Sequence, residues 1–110
     1  MPLLTISTTQ PVSDDQLVEA AGMVANVLGK PKSIMMGRAL QTAAMSFGEA
    51  TSHIALFEIE GIELSSDPTE ELTSKLCDFA ERELEVPAQL VFVKLTNVPR
   101  GNWGGNNKVY

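Results

Sequence analysis

At 110 residues, with 44% hydrophobic and 20% charged side chains, the chain suits a single domain, residues 1–110, whose surface is apolar enough to gain from a partner subunit. A formal net charge of −6 argues against a nucleic-acid binder, because no basic patch is there to displace counterions. The lone cysteine, Cys77, rules out an intrachain disulfide framework and any Cys-x-x-Cys redox or metal motif. No apolar run reaches spanning length and no basic region with a long apolar core opens the chain, so the expectation is a soluble cytoplasmic protein with no membrane or nucleic-acid partner, release without a signal peptide being the alternative.

The chain opens Met1-Pro2-Leu3-Leu4-Thr5-Ile6-Ser7, a proline directly behind the initiator methionine and then a strand-like run. A small second residue favours removal of the methionine, which would turn Pro2 from a tertiary amide into a free secondary amine. An α-amino group ordinarily titrates at about 7.7–8.0. Burial in an apolar, cationic pocket would favour its neutral form further, and a neutral amine can take a proton from carbon or attack a carbonyl. Taken alone, Pro2 reads more readily as a strand-start residue, a place that tolerates the missing N–H.

Ser13 reads as a helix N-cap with Asp14 and Asp15 in the first turn. Leu17, Ala20, Ala21, Val24, Val27 and Leu28 then form one stripe, Gly29 acts as the stop, and Pro31 forbids continuation. A second strand is expected over 33–40, a connection over 41–52 with a short edge strand at 44–47, and a third strand over 53–60, where apolar and acidic residues alternate. Asp67-Pro68-Thr69-Glu70 is a helix start with an acidic N-cap. Leu72, Leu76, Phe79, Ala80 and Leu84 follow at helical spacing before Pro87, and a last strand covers 90–95. The tail from Pro99 to Asn107 is turn chemistry around Trp103.

The order is strand, helix, strand, twice over. Pro31 and Pro87 are separated by 56 residues, as are Arg38 and Lys94, so the two halves echo each other. Right-handed crossovers in both halves predict an α+β two-layer fold: a four-stranded mixed sheet with two helices on one face. The other face is expected to be exposed and apolar, suited to packing against copies of the same chain.

These features together resemble the tautomerase superfamily, in the branch of macrophage migration inhibitory factor and D-dopachrome tautomerase. The likeness rests on Met1-Pro2, Leu28-Gly29-Lys30-Pro31, Glu60-Gly61-Ile62 and the tail Asn102-Trp103-Gly104-Gly105-Asn106-Asn107. It implies a homotrimer with sites between subunits, and keto–enol tautomerisation of phenylpyruvate-like 2-oxo acids, with dopachrome-type compounds as further substrates. No metal or organic cofactor is implied. Pro2 would be the general base, Lys30 would bind the substrate carboxylate, and Ile62 would contribute a backbone group. Phe92 stands where the macrophage migration inhibitory factor pattern has tyrosine, and Lys94 where it has asparagine. The D-dopachrome tautomerase branch instead pairs an apolar residue with an arginine two positions later, so Lys94 could grip a carboxylate. Trp103 replaces a smaller pocket residue, Gly105 replaces a tryptophan, and Ile54 and Phe57 occupy the positions of the family's Cys-x-x-Cys. Phe92, Trp103 and Tyr110 would make an apolar wall. Two rival readings use the same framework: proline-dependent decarboxylation or hydration of a small acid, and an interaction protein with a vestigial site. His53, Cys77 and the acids Glu58, Glu60 and Glu63 are read as structural or solvated.

Overall fold

The computed structural model describes residues 2–110. The expected removal of Met1 lies outside the described residues. Strand β1 (Leu3–Thr8) leads into helix α1 (Asp14–Leu28), then β2 (Met36–Gln41) and β3 (Ala55–Ile62). Helix α2 (Thr69–Phe79) and β4 (Val91–Val98) complete the second half, and a two-stranded hairpin, β5 (Gly104–Gly105) and β6 (Lys108–Val109), closes the tail. The main sheet has the order β2-β1-β3-β4. β1 runs parallel to β2 and antiparallel to β3, and β3 runs parallel to β4. The expected mixed sheet of two β-α-β halves is therefore what forms.

One face of the sheet carries Leu4, Ile6, Phe57 and Ile59, all fully buried against Ala20, Val24, Leu72, Leu76 and Phe79 of the two helices. Phe57 and Phe79 meet edge-on at 6.3 Å, which adds about 0.5–1.5 kcal/mol beyond the area they bury. The other face is exposed but not uniformly apolar, contrary to expectation. Its middle row runs Arg38–Thr5–Glu58–Lys94 across all four strands. Apolar side chains gather at one end of that face, where Leu40 and Leu56 share a row with Phe92.

Helix α1 starts as its sequence dictates. Ser13 accepts the Gln16 N–H, Gln16 accepts the Ser13 N–H in return, and Gly29 closes the helix at φ 69°. Other boundaries differ from the sequence reading. Residues Lys32–Ile34 form a 3₁₀ turn, so the second strand begins at Met36 rather than 33. Pro87 initiates a matching turn at Ala88–Leu90; each proline takes the same extended conformation, and the internal echo is a shared way of entering a strand. At 44–47 there is only an isolated bridge between Phe47 and Ala50, because Gly48 at φ 59° turns the chain back at once. β3 starts two residues late, since His53 sits at φ 55°, and it runs on through Ile62 because Gly61 and Ile62 pair with Asn97 and Val98. That pairing also carries β4 beyond the expected 95.

Asp67 does not cap α2. No side chain caps that helix, and the Ser66 carbonyl takes the Thr69 N–H instead. At its far end the helix widens into a π turn at Ala80–Leu84. The carbonyls freed there are satisfied from elsewhere: Gln16 donates to Glu83, Gln10 to Leu84, and His53 Nδ1 lies 3.1 Å from the Glu85 oxygen. His53 is thus a structural clasp, as read from the sequence. Among the described residues no helix is long and apolar enough to cross a membrane.

Gly29 holds a left-handed conformation that costs residues with a Cβ about 1–2 kcal/mol. Gly29→Ala should lower the free energy of unfolding by that amount, seen as a reduced urea midpoint at unchanged slope.

Candidate active site

Pro2 directly precedes β1, an inner strand of the sheet, and its ring is fully buried. Its carbonyl accepts the Met36 N–H at 3.1 Å, while proline has no N–H to leave unpaired on the other side. Leu3 faces Glu60 in the antiparallel register, so one step back sets Pro2 beside Gly61 and next to Ile62. Ile62 is 9% exposed and ends β3.

Immediately beyond Ile62 the chain turns through Glu63, at φ 58°. Leu64 N–H donates to Asn97 Oδ1 at 2.8 Å, fixing that turn on β4. The turn and the end of α1 form a cleft of about 400 Å³, walled by Val27, Leu28 and Lys30 on one side and Glu63, Leu64 and Asp67 on the other. Its size is that of small-ligand sites. Lys30 is held there because its own N–H closes the helix on the Ala25 carbonyl at 2.9 Å. Pro2 is not part of the cleft wall. It is linked to the cleft through Gly61, Ile62 and Glu63, which run from the strand beside it to the cleft rim.

On the other side of the Pro2 end lies a second groove, of about 320 Å³, where Trp103 stands with Leu3, Glu60 and Val98. Tyr110 is tied to this region by its N–H to the Trp103 carbonyl at 2.9 Å, while Gly101 N–H binds the Tyr110 carbonyl at 3.0 Å. A Cβ on Gly105 would stand 2.9 Å from the Tyr110 hydroxyl. Glycine at 105 and tyrosine at 110 are therefore fitted to each other, and the ring takes space that a larger residue at 105 would need.

Pro2, Lys30, Ile62, Trp103 and Tyr110 thus gather at one end of the sheet. Phe92 and Lys94 do not join them within the chain. Phe92 shares a row with Leu56 and Ser7, about 16 Å along the strands from Pro2. Lys94 is about 10 Å along and about 10 Å across. It projects on the exposed face, its ammonium 3.7 Å from the half-buried Glu58, a surface pair worth at most about 1 kcal/mol and so easily exchanged for another carboxylate.

Three contacts were not legible in the sequence. Phe47 packs on Phe92 at 4.6 Å between ring centroids; it lies in an aperiodic loop, where no spacing signals a partner. Arg38 Nε donates to Thr5 Oγ1 at 2.8 Å, and Arg100 reaches Glu63 at 2.9 Å. Cys77 is half-buried on α2, and desolvation, then Asp78 and Glu81, push its thiol above the usual range. It is a poor nucleophile.

A four-stranded mixed sheet of two β-α-β halves, covered on one face by two helices, is the tautomerase-superfamily arrangement. The family model "Macrophage migration inhibitory factor (MIF)" matches residues 1–110. The chain belongs to the macrophage migration inhibitory factor family, whose fold supports tautomerase-type activity. It is similar to a macrophage migration inhibitory factor homolog of Trichinella spiralis, with 28% identity over 116 residues covering 100% of both chains. Among solved structures it superposes on a macrophage migration inhibitory factor-like protein from Entamoeba histolytica with a TM-score of 0.90 at 19% identity, over 99% of this chain and 98% of that one. A homologue from Prochlorococcus marinus gives a TM-score of 0.84 at 25% identity over 98% of each chain.

Since its raised pKa lowers the thiolate fraction at any given pH, Cys77 in the native protein should react with an aromatic disulfide reagent at pH 8 more slowly than free cysteine. Denaturant should abolish the difference.

Proposed function

We propose that this protein is a keto–enol tautomerase of phenylpyruvate-like 2-oxo acids, with the nitrogen of Pro2, freed by removal of Met1, as the general base. The observation that carries this reading is the burial of the Pro2 ring at the start of an inner strand, joined through Gly61–Ile62 to the cleft that holds Lys30.

The amine removes a proton from the carbon next to the keto group. The C–H electron pair becomes the enol double bond as the carbonyl oxygen takes up a proton, so atoms balance and no oxidant or reductant is needed. Lys30 binds the substrate carboxylate and, as a nearby cation, favours the neutral amine. Its charge also stabilises the developing enolate. Trp103 and Tyr110 give the substrate's aromatic ring an apolar wall, and Ile62 supplies a backbone group at the end of β3.

The distance of Phe92 and Lys94 from Pro2 supports an assembly in which one protomer lends these two residues to the Pro2 site of the next. A homotrimer with three shared sites meets that need. The hydroxyl that tyrosine would bring at position 92 is then absent, and the ammonium of Lys94 takes its part in holding an anionic oxygen. The exposed apolar row of Leu40, Leu56 and Phe92, with Phe47 beside it, gives such neighbours a surface to cover.

Pro2→Gly, which keeps a free primary amine but loses the ring, should reduce kcat/KM for phenylpyruvate by about 10²-fold or more, as expected for a displaced base. Retention of nearly the full rate would refute the role. Lys94→Ala should raise KM for carboxylate substrates about tenfold, the effect of losing one charge-assisted contact, and an unchanged KM would leave Lys94 only its pairing with Glu58. Light scattering should give three times the 11.9 kDa chain mass; a monomer with full activity would remove the shared site.

A further inference from the structure

The wall of the Lys30 cleft contributes two acids, Glu63 and Asp67, against the single cation. On a chain of net charge −6, that balance opposes the entry of a carboxylate. Glu63 is the acid whose place on the rim is fixed. Its backbone is held in the left-handed region, and the next N–H is tied to Asn97. Arg100, three residues beyond Asn97, meets that carboxylate with two donors on one oxygen, Nε at 3.1 Å and Nη2 at 2.9 Å. The guanidinium is thereby committed to Glu63, while Lys30 forms no ion pair among the described residues.

We infer that Arg100 is a positioning residue for anion binding. It neutralises Glu63 and holds it away from Lys30, so that the ammonium stays available to an incoming carboxylate. The inference rests on the proposed role of Lys30 and adds the device that keeps it free. Both partners are exposed, so the effect is of surface size and falls with salt. Losing Arg100 releases an acid within the same cleft wall, where it competes with the substrate carboxylate for Lys30. Binding suffers, and the proton-transfer step does not.

The test uses the full chain and two readouts. In the first, Arg100→Ala should raise KM for phenylpyruvate about fivefold, the upper range for an exposed charge pair, with kcat unchanged. In the second, calorimetric binding of 3-phenylpropanoate, which cannot enolise, should weaken by the same factor. Glu63→Gln in the Arg100→Ala background should restore both values, Arg100→Lys should restore most of them, and 0.5 M salt should shrink the gap. Equal affinities in wild type and Arg100→Ala, no binding of the carboxylate by wild type, failure of Glu63→Gln to rescue, or a fall in kcat with KM unchanged would each overturn the inference. Binding that follows this pattern in a protein without turnover would instead refute the tautomerase reading and leave the role of Arg100 standing.

Discussion

The structure depends on one constraint: β1, with Pro2 directly ahead of it, lies inside the sheet. It is paired along its whole length on both sides, with β2 and with β3. A residue at the head of such a strand would normally leave an amide N–H or a charged terminus to satisfy. While its nitrogen is in a peptide bond Pro2 leaves no amide N–H, and its ring fills the buried place. α1 and α2 each return the chain to a strand parallel to the one it left, and both cover the same face. The site is a by-product of that closure. The ends of β3 and α1 meet beside the head of β1, and Lys30 stands where the helix stops.

Much of the fold was legible because local and global preferences agree. Ser13, the apolar stripe and Gly29 state one helix without ambiguity, and the parallel spacing of Pro31 and Pro87 announced two similar halves. The errors have common causes. Asp67 has the chemistry of a cap, but it lies with Pro68 inside a turn in which the Ser66 carbonyl takes the Thr69 N–H. The strand boundaries moved where backbone at positive φ, at His53 and Glu63, decides pairing that side-chain alternation cannot report. Phe47 looked like part of an edge strand. Its ring instead finds Phe92 across a loop, a contact set by the tertiary fold.

The candidate site was legible in its parts and not in its assembly. Pro2, Lys30 and Ile62 are far apart in sequence; the register of β1 on β3 brings Pro2 and Ile62 together, and the end of α1 sets Lys30 at the same end. The register of β4 on β3 keeps Phe92 and Lys94 away from them, which the sequence could not state and which gives the proposed shared-site arrangement its geometric reason. The electrostatics follow the same logic. Only eight of the residues are Lys or Arg, yet Lys30, Arg38, Lys94 and Arg100 all lie on the exposed sheet face or at the Pro2 end. An acidic protein can attract an anion only by such local placement.

The central claim is that the reactive atom is the ring nitrogen of Pro2, and that it must be free. The most direct measurement compares two preparations of the unmodified sequence, one with Met1 removed and one with Met1 retained, each verified by intact mass, in the same phenylpyruvate enol assay. The account predicts turnover from the processed protein and none above background from the other, whose proline nitrogen is an amide. Equal rates from both preparations would contradict it.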